Sequence, residues 1–440
     1  MTNPVAKLGT DIWKRASSSK ILRQSAKLAT GTMAGRLIYL AALPLITRLY
    51  SPATFGVFAL IVALGTFVTA LGTLKLDVAV MTLKGSVESG RFTAALLRTA
   101  ILLPLLAFGL LSIPASYFGL PFEVPNGPIV FLAFVTVLGM TGAISMTLRA
   151  WAIRAGAFSA VAYSAGLRVA FQAALAVLFG LLTFNTEVTG GILLAASVAI
   201  SDLLAIAILY RSAGKRRRMQ FRNVRARSMM QAVYKNRKLG SALSTSQLFN
   251  QAASQMPNVW MSWIFGPMLA GQFAFAQRVV FLPATLVTGT IGTILVNAVS
   301  EKHNRGGDVR GLIVKQLLFM CATGFLVYVP VALVSYYHVG WLFGDRWSSA
   351  GPVVAMMCIA GFANMLITTN IYLPPLLQMR DFLLWSSSLR LALQIVAAVS
   401  AWMFKMTLLE AILFYALLEL AFAFLQTTAI LRSGKHGHGN

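Results

Sequence analysis

Successive apolar runs of about 20 residues fill this chain, and they leave few folds open to it. A run of that length crosses the hydrocarbon core of a bilayer as an α-helix, which satisfies every backbone N–H and C=O within the segment. The sequence has nothing like the ten-residue alternation of an outer-membrane barrel. Composition agrees, because 58% of the 440 residues are hydrophobic and only 11% are charged. A soluble protein of this length needs far more charge to cover its surface. The expectation is an all-α membrane protein.

The runs predict twelve transmembrane helices, at about 28–48, 55–83, 94–114, 129–148, 158–182, 189–210, 243–265, 270–299, 312–336, 350–373, 382–403 and 407–431. Ser51 and Pro52 break the first two apart. One basic stretch separates the two sets of six: Arg211, Lys215, Arg216, Arg217, Arg218, Arg222, Arg225, Arg227, Lys235, Arg237 and Lys238, with no acid among them. The chain therefore divides into a basic N-terminal segment (1–27), a first lobe (28–210), a basic linker (211–242), a second lobe (243–431) and a tail (432–440).

The net charge of +25 matters less than its placement. Lys84, Arg91, Arg149, Arg154, Lys302, Arg305, Arg310, Lys315, Arg380 and Arg432 crowd the even-numbered loops and the termini. The odd-numbered loops hold only Arg48, Arg346 and Lys405. The positive-inside rule puts both termini in the cytoplasm. The linker then enforces topology and holds anionic headgroups over 211–238. No nucleic-acid partner is expected, because topology alone accounts for the charge. Trp260, Trp263, Trp341 and Trp347 fall near the outer interface, where indole rings favour a half-wet setting.

Catalytic and metal chemistry find no footing. Cys321 and Cys358 both lie in apolar runs, which argues against a disulfide framework or a metal cluster. His436 and His438 sit in a Gly-rich tail. There is no phosphate-cradling Gly loop, nucleophile elbow or HExxH. The chain reads as a non-enzyme without cofactor.

The two halves echo each other. Pro52-Ala-Thr-Phe-Gly56-Val-Phe58-Ala59 and Pro267-Met-Leu-Ala-Gly271-Gln-Phe273-Ala274 both read P-x-x-x-G-x-F-A. Ser164, Arg168 and Gln172 share the S-x-x-x-R-x-x-x-Q spacing of Ser386, Arg390 and Gln394. Two motifs recurring in order indicate duplication. Each half holds six helices and begins on the same side, so a pseudo-two-fold axis runs along the membrane normal, with a substrate path between two six-helix bundles.

Polar groups inside the spans mark candidate sites. Arg168 and Arg390 lie deep in their helices, with Gln172 and Gln394 on the same faces. Each arginine costs about 2.5–3.5 kcal/mol at mid-helix and should face a wet cavity or a partner. Arg36 is a similar case, and Arg278 is shallow enough to snorkel outward. Gln247, Asn250, Gln251, Ser254, Gln255 and Asn258 form one polar stripe along the seventh span. Amides suit sugar hydroxyls and a guanidinium fork suits phosphate, so the set suggests a phosphorylated glycan. The same groups also serve to hold helices together, with Arg168 or Arg390 paired to Asp77, Asp202 or Glu419. Lys75, Asp77, Asp202 and Glu419 are the candidate ion-coupling or ion-pairing groups.

Leu43-Pro-Leu-Ile-Thr-Arg-Leu-Tyr-Ser-Pro52 through Phe55-Gly-Val-Phe-Ala59 resembles the opening of bacterial polysaccharide-biosynthesis membrane proteins, the O-antigen type (Wzx-like) oligosaccharide flippases. Leu74-Lys-Leu-Asp77-Val-Ala79, Gln277-Arg278 with Leu282-Pro283, and Phe343-Gly344 with Trp347 and Ala350-Gly351 fit the same family. Its superfamily includes multidrug exporters and lipid II flippases. The resemblance implies a V-shaped pair of bundles around a central cavity in the bacterial inner membrane. It implies a polyprenyl-diphosphate-linked oligosaccharide as cargo and polysaccharide polymerase or other assembly enzymes as partners. A cation-coupled drug exporter, relying on Asp77 or Asp202, and a non-transport scaffold for polysaccharide enzymes are the alternatives.

Overall fold

The structure, a computed structural model, describes residues 20–82, 86–120, 127–182, 187–212, 237–304, 310–370, 373–376 and 379–433. Most of the basic N-terminal segment, the linker core at 213–236 and the tail from 434, with His436 and His438, lie outside the described residues. The headgroup contact expected over 211–238 falls largely there too.

The chain is helical throughout the described residues: α1 (Lys20–Leu49), α2 (Pro52–Thr73), α3 (Asp77–Thr82), α4 (Ser86–Phe118), α5 (Pro128–Arg154), α6 (Phe158–Leu182), α7 (Glu187–Ser212), α8 (Arg237–Asn304), α9 (Arg310–Phe343), a 3-10 turn (Asp345–Ala350), α10 (Gly351–Asn370), α11 (Leu373–Leu376), α12 (Arg380–Met403) and α13 (Leu408–Ser433). Among the described residues, ten helices are long and apolar enough to cross a membrane. They are α2, α4 to α7, α9, α10 with its 3-10 turn, α12, α13 and the stretch Thr245–Thr285 of α8, which carries two limbs; α1 is not one of the ten. Large apolar side chains such as Leu106, Leu110, Phe325, Leu326 and Trp402 point outward and stay exposed. Such a surface is stable against lipid and not against water.

Two departures from the sequence expectation are informative. The second predicted span is not one helix. Leu74 and Lys75 both take left-handed backbone conformations, at φ 47° and 52°, and the chain resumes as α3. Neither residue is a glycine, so the break is strained. The Thr73 hydroxyl accepts the Lys75 N–H at 3.2 Å, and Asp77 opens the new helix, where the helix dipole favours an acid. The second departure is the turn between the seventh and eighth spans. It shrinks to one residue, Gly266 (φ 75°, ψ 175°), between two limbs of α8.

α1, α2 and α4 to α7 pack among themselves, as do α8 to α10, α12 and α13, and α2 against α8 is the main joint between the groups. Ser51 caps α2 by accepting the Thr54 N–H, with Pro52 at the first turn. The two copies of P-x-x-x-G meet at this joint. A Cβ on Gly56 would strike the Pro267 carbonyl, and a Cβ on Gly271 would strike the Pro52 carbonyl. The contact is reciprocal, as a two-fold relation between the repeats requires.

Beside this joint, the end of the molecule carrying the α1–α2 turn is sealed by Trp347. Its ring lies 5.1 Å from Phe55 and 4.7 Å from Phe275, and its Nε1 donates to the Thr47 carbonyl at 2.8 Å. Trp347 and Trp260 are almost fully buried, whereas Trp263 and Trp341 are exposed. The half-wet setting expected for all four fails for Trp260 and Trp347, both of which are buried; packing between the groups takes the Trp347 ring out of solvent.

Candidate functional site

A cavity of about 310 Å³ opens between α1, α6 and α8, where the two helix groups face each other. Its polar lining is Arg36 and Tyr39 from α1, Gln172 from α6, and Arg278 and Thr285 from α8. Leu43, Val169 and Phe281 supply apolar wall. Helical spacing produces this set: Arg36, Tyr39 and Leu43 share one face of α1, as Arg278, Phe281 and Thr285 share one of α8. α1 and α6 approach closely because glycines face each other; a Cβ on Gly35 would lie 2.9 Å from the Gly166 carbonyl oxygen.

No carboxylate lines the cavity among the described residues. Arg278 donates from Nη1 to the Tyr39 hydroxyl at 2.9 Å. Its guanidinium also lies over the Phe58 ring, 4.3 Å from the centroid. Arg278 does not snorkel outward, as its depth suggested. It turns onto aromatic faces of the opposite helix group, where ring quadrupoles offset part of the cost of burying the cation. Arg36 has no hydrogen-bond or ion-pair partner among the described residues.

Arg168 forms an ion pair with Asp202 at 2.8 Å, the arginine side chain 34% exposed. Arg149, at the far end of α5, lies within electrostatic range of Arg168 and Arg36. Of these three arginines only Arg168 is paired with an aspartate. This surplus of positive charge within helices favours an anion.

The matching arginine of the second repeat is held differently. Arg390 donates from Nη2 to Glu419 at 2.9 Å and from Nε to both carboxylate oxygens. Its Nη1 reaches the Asn250 side-chain oxygen at 3.2 Å, and Gln394 donates to the same glutamate at 2.6 Å. Arg390, Gln394 and Glu419 are all buried.

The polar stripe of α8 divides among neighbours. Asn250 faces Arg390, and Gln251 accepts from Lys75 across the joint at 3.3 Å. Ser254 bonds back to the Gln251 carbonyl, and Asn258 donates to Gln277 at 3.1 Å. Gln247 is exposed and Gln255 half-buried. None of these six lines the α1–α6–α8 cavity. Lys75 is buried at the joint. Asp77 is buried with one carboxylate oxygen lacking a hydrogen-bond partner among the described residues.

Of the predicted binding residues, the cavity gathers Arg36, Gln172 and Arg278. Arg168 stands in an ion pair, and Arg390, Gln394 and Asn250 form a separate cluster with Glu419. Sequence reasoning passed over Tyr39, Thr285 and the place of Arg149 within a helix. Helical register from Arg36 and Arg278 would have reached the first two. α5 runs six residues past the expected end near 148, which puts Arg149 in the helix and not in a loop.

A family model described as polysaccharide biosynthesis protein matches residues 45–352. The lipopolysaccharide biosynthesis protein WzxC of Escherichia coli (strain K12) is 23% identical over 130 residues, which cover 30% of this chain and 26% of that protein. The amylovoran biosynthesis protein AmsL of Erwinia amylovora is 23% identical over 128 residues, covering 29% and 33%. The matched stretches span about a quarter to a third of these relatives. Among solved structures, an inward-facing multidrug resistance MATE family transporter of the MOP superfamily superposes with TM-score 0.61 at 14% identity, covering 94% of this chain and 96% of that one. The chain shares the fold of that structure, and the match over residues 45–352 makes it a member of the polysaccharide biosynthesis protein family.

Proposed function

We propose that this protein is a flippase that carries a polyprenyl-diphosphate-linked oligosaccharide from the cytoplasmic to the outer leaflet of the bacterial inner membrane. It does so by alternating access and without making or breaking a covalent bond. The observation that carries the reading is the cavity between α1, α6 and α8, with two arginines, an amide and two hydroxyls and no acid among its described lining residues. Arg36 and Arg278 take the diphosphate, since each guanidinium fork can hold two phosphate oxygens. Gln172, Tyr39 and Thr285 take hydroxyls of the adjoining sugar. The prenyl tail stays in lipid, so neither the glycan nor the charge enters hydrocarbon, where each unpaired polar group costs several kcal/mol.

In this reading twelve spans form two six-helix bundles that rock about the pseudo-two-fold axis, both termini are cytoplasmic, and polysaccharide assembly enzymes receive the product. An inside-negative potential favours outward movement of each uncompensated negative charge by about 2.3 kcal/mol per 100 mV.

The test is the sidedness of lipid-linked oligosaccharide in inverted and right-side-out vesicles, probed with a glycan-binding reagent. Cells lacking the protein should accumulate it on the cytoplasmic face. Restoring the wild type should relieve this, and restoring Arg36→Gln should not. Normal sidedness without the protein would end the flippase reading. Cation-coupled export is the second reading, favoured by buried Asp77 with its unpartnered oxygen. It requires Asp77→Asn to abolish toxicant resistance, whereas the flippase reading leaves resistance unchanged.

A further inference from the structure

Arg278 lines the cavity and at the same time ties the two helix groups together. It belongs to α8, yet its Nη1 donates to Tyr39 of α1 at 2.9 Å, and its guanidinium caps Phe58 of α2 at 4.3 Å and Phe55 at 5.1 Å. No carboxylate among the described residues holds it. Its tie is therefore to neutral acceptors and ring faces, which a multiply charged anion can outbid.

The rings under Arg278 lead to the seal. Phe58 meets Phe55 edge-on at 6.2 Å, and Phe55 meets Trp347 at 5.1 Å. Trp347 also packs on Phe275 at 4.7 Å and donates to the Thr47 carbonyl. Phe55, Phe58 and Thr47 belong to one helix group, and Phe275 and Trp347 to the other. The column thus spans the joint from the cavity to the end that carries the α1–α2 turn.

We infer that Arg278 is a ligand-operated lock. In the empty protein it clamps α8 to α1 and α2 through Tyr39 and Phe58. A diphosphate in the cavity draws the guanidinium off the rings and frees the sealed end to part. The trigger rests on the phosphate assignment above; the clamp does not. A ligand shifts a two-state equilibrium only through its differential affinity for the two states, and a guanidinium shared between clamp and cavity supplies that difference.

Spin labels at Tyr117→Cys and Tyr337→Cys, in a Cys321→Ser, Cys358→Ser background, report the separation of the two groups at the sealed end. Both tyrosines are highly exposed, near the ends of α4 and α9. Without ligand, Arg278→Gln and Phe58→Leu should each raise the long-distance population at least about twofold over wild type. Farnesyl diphosphate should produce the same shift in wild type, and no further shift in Arg278→Gln. Phe58→Leu keeps the cavity lining and should still bind farnesyl diphosphate. Wild-type distances in both ligand-free variants would overturn the lock. If both variants open but farnesyl diphosphate neither binds nor shifts wild type, the clamp stands, and the trigger falls together with the phosphate reading.

Discussion

Arg168 and Arg390 occupy matching positions in two copies of one motif, and the two neighbourhoods have diverged. In the first copy the guanidinium makes one contact to Asp202 and remains 34% exposed. Gln172, four residues on, lines the cavity. In the second copy the guanidinium is 8% exposed and Glu419 2%. Gln394 and Asn250 complete a buried hydrogen-bonded cluster there. The serines behave alike: Ser164 and Ser386 each bond back to a carbonyl three residues earlier. The two motifs thus share a helix face and not its use. One copy holds the second helix group together, and the other stands beside the cationic cavity with charge to spare. A polar residue in a membrane helix is explained by its partner on the next helix, not by its motif.

The largest expected effect comes from opening the sealed copy. Glu419→Leu leaves Arg390 buried without its counter-ion and should cost about 3–5 kcal/mol, whereas Asp202→Leu should cost about 1 kcal/mol because Arg168 is a third exposed and makes a single contact to Asp202. Thermal unfolding in detergent measures both, and equal losses would erase the distinction. Adding Arg390→Met to Glu419→Leu should recover most of the stability, since an apolar pair of similar volume replaces the buried ions.

Where the copies are still used alike, their variants should behave alike. Gly56→Ala and Gly271→Ala each put a Cβ into the opposing proline carbonyl. Each should cost about 1–3 kcal/mol, in near-equal amounts, by the same melting measurement. A loss confined to one glycine would show that the joint is not symmetric in energy. The smallest effect separates the glutamines. Gln394→Ala strips a hydrogen bond from buried Glu419 and should cost about 1–2 kcal/mol. Gln172→Ala should leave the melting temperature nearly unchanged while weakening transport in the vesicle assay.

The class and layout of the molecule were legible in the sequence, because a bilayer admits little besides long apolar helices. Predicted span 158–182 coincides with α6, and most other boundaries fall within a few residues. Some helices run past their apolar windows, as α5 does to Arg154 and α9 to Phe343, and at one place a tertiary contact accompanies a break. The left-handed pair Leu74 and Lys75 contains no glycine, and it sets Lys75 against Gln251 of the other helix group. The repeat was legible too, as two short motifs, but nothing in P-x-x-x-G says that its copies would meet each other.

By itself the sequence determined that this chain is helical and membrane-embedded, that two short motifs recur in it, and which polar residues lie inside its spans. Hydrophobic length and helical period are local properties, and they survive without knowledge of neighbours. Only the tertiary structure decided that Arg36, Gln172 and Arg278 share a cavity while Arg390 and Gln394 are consumed by Glu419. Whether a buried cation is free or neutralised depends on a carboxylate tens of residues away, brought near by packing. That is a property of distance in space, and spacing along the chain does not carry it.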